Sequence, residues 1–357
     1  MSNAAHSPAE QPKQGLGRSL LRLTALGLAV ALFAWTLRDL DISRLGQLLR
    51  SVGPLALLIL VPQAVGMLLH TAAWKELLAG LGNRAPLFAL ASTFFGSEAT
   101  RMVAPAGPAV GESVAAFGIV RRFEVPWTRA LASLAAKKAW VVLTHGACMV
   151  LLLVVGQAEL DRLAAGTPQG RLLPWLAIGM TVALLAAGSV TLGLLSSRRV
   201  ARAATSRLAQ VRWERVRAWA SRQRERPDTV AAATMPASRH ALAGVFLFGQ
   251  WMAEVLETWL VLRLLGVPFS FTEALLVELG GTMVRSLAFV VPGGLGVQDA
   301  SYIGLLAALG VPGATEVGAT FVLLKRTKEL FYVAVGLFLL TLVKRGSRQS
   351  DAITVTP

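Results

Sequence analysis

The sequence predicts an all-α polytopic membrane protein, with about six full transmembrane helices plus two Gly/Pro-broken re-entrant hairpins in an inverted repeat. Three observations predict it. Of 357 residues, 54% are hydrophobic and only 15% charged, where soluble proteins carry about 25% charged residues. The apolar residues gather into runs near the ~20 residues a span requires, and mean hydropathy is +0.59. Two further runs are broken at their centres by Gly and Pro, in two parts of the chain that share an order of features.

Residues 1–17 are polar and rich in Ala, Gln, Pro and Gly, the composition of a disordered cytoplasmic tail. Residues 18–37 have the basic start and apolar run of a signal peptide. No small-x-small cleavage site precedes Arg38, so 19–37 is expected to stay as the first span. Asp39-Leu-Asp41 imitates a metal-binding DxD but begins an amphipathic stretch, where helix capping is the better reading. The other spans are 54–73, 128–156, 172–196, 240–265 and 314–343.

The broken regions are roughly 86–119 and 272–311. The first contains Pro105, Gly107, Gly111 and Glu112; the second contains Pro292, Gly293, Gly294, Gly296, Gln298 and Asp299. Pro removes a backbone donor and Gly loosens the helix, so each region should bend at mid-depth and return to the side it came from. Bare backbone at that depth requires cover by protein or water. The competing reading is a pair of ordinary kinked spans at each place.

Charge orients this arrangement. The net charge is +15, and eleven arginines between Arg198 and Arg239 face only Glu214, Glu225 and Asp228 in the loop 197–239. With an inside N-terminus, this loop and the 344–357 tail with Lys344, Arg345 and Arg348 all fall inside, as positive-inside topology demands. That explains the basic charge more cheaply than nucleic-acid binding does. Leu208, Val211 and Trp219 suggest a helix of the loop lying on the inner headgroups. The expected location is the bacterial inner (cytoplasmic) membrane, with both termini cytoplasmic.

Two units, roughly 54–156 and 240–343, share four features within a transmembrane domain at 18–343. Each has a span, an Arg before its break (Arg101, Arg285), an acid after it (Glu112, Asp299), and a basic pair in the next span (Lys137-Lys138, Lys325-Arg326). The units enter from opposite sides, so the repeat is inverted, the layout that puts a transporter site at mid-membrane.

An ionisable group at mid-bilayer costs roughly 2.5–3.5 kcal/mol on insertion scales, so it has a partner or a purpose. Arg101, Lys137, Lys138, Arg285, Lys325 and Arg326 are the candidates to hold a lipid headgroup, because Arg and Lys are natural phosphate ligands. Glu254, Glu257, Glu278 and Glu329 would balance their charge, and the bland alternative is internal ion pairing, Glu254 and Glu257 with Lys325 or Arg326. His70 and His145 are isolated and read as packing or helix-end residues. Cys148, the one cysteine, reads as a small core residue. Trp35, Trp74, Trp127, Trp175 and Trp251 lie near span ends, as interfacial anchors do. No metal site, cofactor or catalytic motif is expected.

Pro292-Gly-Gly-Leu-Gly-Val-Gln-Asp299, followed by Leu324-Lys-Arg326, resembles the transmembrane, flippase-like domain of the lysylphosphatidylglycerol synthase family. Trp74-Lys-Glu-Leu-Leu78, Gly111-Glu112 and Arg121-Arg122 agree with it. Glu257-Thr-Trp-Leu260, Leu265-Gly-Val-Pro268, Val284-Arg285 and Ala288-Phe289 look most like its hopanoid-associated branch. Asp299 stands where that family usually has Glu, and the first turn reads Pro-Ala-Gly-Pro. The resemblance implies movement of a polar or anionic lipid between leaflets, in some members beside a separate synthase domain; with Pro357 shortly after the last span, aminoacyl transfer is not expected here. Two rival readings stand beside it: a non-transporting subunit of a lipid synthesis or export system, and a membrane-embedded lipid-modifying enzyme using the buried carboxylates.

Overall fold

The computed structural model describes residues 42–104, 107–165, 172–196, 235–287 and 296–353. Helix α1, Ile42–Val52, passes through a 3-10 segment, Gly53–Ile59, into α2, Leu60–Gly80. Then come α3 (Leu87–Val103), α4 (Gly107–Phe123), α5 (Trp127–Val155), the short α6 (Gln157–Ala165) and α7 (Leu173–Ser196). The second part holds α8 (Ala237–Leu264), α9 (Phe271–Leu287), α10 (Val297–Ala308) and α11 (Ala314–Ile353). No strand occurs among the described residues.

Local chemistry sets the ends. Pro86, Pro126 and Pro236 occupy the N-caps of α3, α5 and α8, where a missing N–H costs nothing because the first turn has no acceptor for it. Gly82 and Gly266 end α2 and α8 with φ of 78° and 79°. The Gly82 and Asn83 N–H groups donate back to Ala79 and Leu78, as those of Gly266 and Val267 do to Arg263 and Leu262. This left-handed closure satisfies carbonyls that would otherwise be bare. At the end of α10 the same role falls to Gly310, φ 77°, and at the end of α4 the left-handed position is Glu124, φ 53°.

Both broken regions fold as helical hairpins. Arms α3 and α4 have 17 residues each, about 25 Å at 1.5 Å per residue. A Cβ on Gly111 would sit 2.7 Å from the Arg101 Cβ and 2.8 Å from the Ser97 carbonyl, and Gly118 faces Thr93. The partner number falls as the glycine number rises, so the arms are antiparallel, and small residues let their backbones close. In α9 and α10, Gly281 meets Tyr302 and Gly280 meets Leu305, giving the same arrangement. Pro105 and the turn residues Pro292, Gly293 and Gly294 lie outside the described residues.

Between hairpins, α2 and α8 run antiparallel: Gly66 lies against Gln250 and Ala253, and Gly80 against Met235 and Arg239. Helix α5 runs parallel to α8, since Trp140 donates to His240 at 3.0 Å and His145 stacks on Trp251. The last helix, α11, lies antiparallel on the first hairpin, with Gly336 against Ala99 and Gly96 against Leu340. Each hairpin has its own core: Trp74, Leu78, Phe94, Ile119 and Val125 at one, and Leu262, Leu265, Tyr302, Leu306 and Val311 at the other.

Four stretches are long and apolar enough to cross a bilayer: Gly46–Gly80, Trp127–Val155, Pro174–Leu195 and Ala237–Leu264. Helix α11 is long enough, but Lys325, Arg326, Lys328 and Glu329 interrupt its apolar character. On α7, Trp175, Leu176, Val182 and Val190 are all exposed, an apolar surface that suits lipid rather than water.

The structure amends several expectations. Helix α11 continues to Ile353, through most of the stretch read as a C-terminal tail. Trp127 and Trp175 are exposed near helix starts, but Trp74 and Trp251 are buried and cannot be interfacial anchors. Trp74 donates to Ser133 at 3.1 Å. The first span at 19–37, Asp39, Asp41, Trp35 and the loop arginines from Arg198 to Arg226 lie outside the described residues.

Candidate functional site

A cavity of about 170 Å³ opens where α2 and α8 meet both hairpins and α11. It is lined by charge. Of the six basic residues singled out in the sequence, it gathers Arg101, Arg285, Lys325 and Arg326, and it adds Lys328. Glu254, Glu257, Glu278, Asp299 and Glu329 line it too, with Glu98.

Most of these charges are paired. Lys325 Nζ lies 2.5 Å from Glu278 Oε2 and 3.8 Å from Glu257. Thr258 also donates to Glu278, and Tyr302 OH does so at 3.3 Å while accepting from Gln298 at 2.8 Å. Lys328 donates to both Glu257 oxygens at 2.7 and 2.8 Å and to Gln63 at 2.8 Å. Arg326 bridges Asp299 and Glu329, each at 2.6 Å. Arg101 holds Glu98, three residues back on its own helix, at 2.5 Å. The expected pairing of Glu254 and Glu257 with Lys325 or Arg326 holds in part: Glu257 pairs with Lys325 at 3.8 Å and more closely with Lys328 at 2.7 Å, while Glu254 accepts from Gln250 at 2.5 Å and has no ion pair among the described residues.

Lys137 and Lys138 lie elsewhere. Lys137 is 2% exposed, and its Nζ sits 4.6 Å from the Trp74 ring centre and 5.3 Å from that of Phe94. Lys138 points the other way, into a groove between α4 and α5, and pairs with Glu112 at 2.7 Å. This groove, about 330 Å³, is walled mainly by Phe117, Trp127, Leu131 and Leu134. Neighbours in sequence thus fall on different faces, because successive positions on a helix are ~100° apart.

The turn residues position these groups. Gly107 and Gly111 allow α4 to close on Arg101. Gly296, φ 77°, opens α10, and its N–H donates to Asp299 Oδ2 at 2.9 Å. Asp299 therefore ties the second turn to Arg326 on α11.

Sequence reasoning missed Glu98, Gln63, Gln250, Thr258 and Tyr302. A signal existed for some: Gln250, Glu254 and Glu257 recur at helical spacing, and Glu98 stands three residues before Arg101. His70, read as a packing residue, stacks on Phe94 at 4.5 Å and also lines the cavity.

Residues 22–340 match the family described as Lysylphosphatidylglycerol synthase TM region. The chain belongs to that family. No curated protein matches it. As a lysylphosphatidylglycerol synthase TM region member with several apolar spans, it is a multi-pass membrane protein. The match takes in both hairpins and every charged residue of the cavity, so the site belongs to the family domain.

Proposed function

We propose that this protein is an inner-membrane lipid translocase that moves a polar or anionic lipid between leaflets. One observation carries the reading: an ion-paired cavity enclosed jointly by both hairpins and the helices between them. Such charge in an apolar body is costly, and it marks transport paths in membrane proteins.

The two units form an inverted repeat in this reading. Support comes from α2 and α8 running antiparallel, and from left-handed closures at Gly82 and Gly266, 184 residues apart, and at Glu124 and Gly310, 186 apart. The hairpins are re-entrant, the first opening to the cytoplasm with the basic loop and both termini, the second to the outside. The protein acts as a carrier without catalysis or cofactor. Its setting is lipid export, with the hopanoid-associated branch suggested by the α8–α9 motifs.

The test is lipid exchange in reconstituted vesicles. Wild type should accelerate movement of a labelled anionic phospholipid between leaflets, and Arg326→Ala should remove the acceleration while eluting as a folded protein. Movement no faster than in protein-free vesicles would refute the translocase.

A further inference from the structure

Six carboxylates and five cations line the central cavity. Four cations, Arg101, Lys325, Arg326 and Lys328, and five carboxylates, Glu98, Glu257, Glu278, Asp299 and Glu329, are used in ion pairs. Two residues remain: Glu254 and Arg285 have no ion pair among the described residues, although both line the cavity. Glu257, one turn beyond Glu254, has two lysines nearby.

We propose that Glu254 and Arg285 form a proton-coupled anion site, in which Glu254 takes up one proton when a monoanionic headgroup binds Arg285. The inference rests on the translocase reading and adds its coupling ion. Charge balance is the argument. With every carboxylate ionised, the lining sums to −1. A phosphodiester entering alone would make it −2 inside a membrane-spanning body, where uncompensated charge is expensive. If a solution proton converts the Glu254 carboxylate to the acid as the phosphodiester arrives, the sum stays at −1. The phosphate then takes the place of Glu254 as the anion facing Arg285. No covalent bond changes, and the proton leaves when the headgroup does.

The groups facing Glu254 set the competition for that proton. Helix α8 itself supplies Gln250 and Glu257, α2 supplies Gln63 and His70, and α11 supplies Lys325 and Lys328. Helix α9 supplies Glu278 and Arg285, and α5 supplies Cys148, while His145 of α5 faces Arg285 and Glu278. The carboxylates Glu257 and Glu278 each already face a lysine, at 2.7 and 2.5 Å. His70 and His145 each stack on an aromatic ring and are the remaining proton acceptors.

The full chain in nanodiscs of neutral phosphatidylcholine should be titrated with short-chain phosphatidylglycerol, in buffers of differing ionisation enthalpy. Wild type should take up about one proton per lipid and lose affinity by up to about tenfold per pH unit as pH rises. Glu254→Gln, which keeps the size and a carbonyl for Gln250, should bind with no proton uptake and a flat pH profile. Glu254→Asp should restore uptake, and Arg285→Gln should lose binding at every pH. Lipid binding by wild type without proton uptake, or uptake persisting in Glu254→Gln, overturns the coupling and leaves the translocase standing. No binding by wild type at any pH overturns the anion site, and the translocase falls with it only if lipid movement in vesicles is also no faster than without protein.

Discussion

Arg326 holds Asp299 through two nitrogens, Nη2 at 2.6 Å and Nε at 3.1 Å, both on Oδ1. The other Asp299 oxygen accepts the Gly296 N–H, so one carboxylate joins the second hairpin turn to the last helix. In the first unit, Glu112 and Lys138 make the corresponding pair at 2.7 Å. That pair faces an outer groove, whereas Asp299–Arg326 faces the cavity.

Removing Arg326 strands Asp299 and Glu329 together. Arg326→Ala should cost about 3 kcal/mol in detergent unfolding, and the Asp299→Ala/Arg326→Ala double variant should lose clearly less than the two singles combined. Simple additivity would show that the pair does not hold α10 to α11.

Lys137 and Lys325 begin the two basic pairs but have different surroundings. Lys137 lies between Trp74 and Phe94, while Lys325 neutralises Glu278. Lys137→Met should leave thermal stability within about 1 kcal/mol of wild type. Lys325→Met should lose about 3–5 kcal/mol, because Glu278 is left buried and unpaired. Equal losses would contradict the contrast.

Glu124 carries the left-handed conformation that Gly82, Gly266 and Gly310 carry at three other helix ends. It is exposed, so little packing is lost on substitution. Glu124→Gly should raise stability by about 0.5–1 kcal/mol, read as a higher melting temperature. A fall would mean the side chain contributes more than its backbone strain costs.

Gly111 and Gly304 separate close approach from mere helix membership. Gly111→Ala should cost about 1–3 kcal/mol by prising α4 from α3. At Gly304 a Cβ meets nothing within 4 Å, so Gly304→Ala should be neutral or stabilising by up to about 1 kcal/mol. Melting curves of the two variants decide it.

The opposed entry of the hairpins is checked with single cysteines in a Cys148→Ala background. Arg84 and Ser270, both exposed, follow α2 and α8. Arg84→Cys should react with an impermeant thiol reagent only from the cytoplasmic side, and Ser270→Cys only from the outside. Labelling of both from one face would end the inverted arrangement.

Much of the frame was legible in the chain. The spans at 128–156, 172–196 and 240–265 match α5, α7 and α8 within a few residues, because an apolar run of that length has few alternatives. The breaks at 103–113 and 291–299 mark the hairpins, since Pro and Gly act on the backbone locally. Gly82 and Gly266 are helix-end signals of the same local kind.

Partnership was far less legible. Lys137 and Lys138 look like one site in the chain and belong to two. Trp74 lies at a span end in sequence yet is buried, because a neighbouring helix covers it, and Trp251 lies at the middle of α8, buried against α5.

The order of apolar and polar residues therefore determined that this chain is helical, crosses a membrane and bends in two places. Those outcomes depend on solvation and backbone chemistry within ~20 residues. Which cation neutralises which carboxylate depended on how α2, α8, α9 and α11 approach one another. Ion pairing at 2.5–3 Å is decided by helix rotation and depth, and those depend on packing between residues as far apart as Gln63 and Lys328. Glu254 and Arg285 acquired their distinct position there, as the two charged residues of the cavity lining that packing left without an ion pair among the described residues.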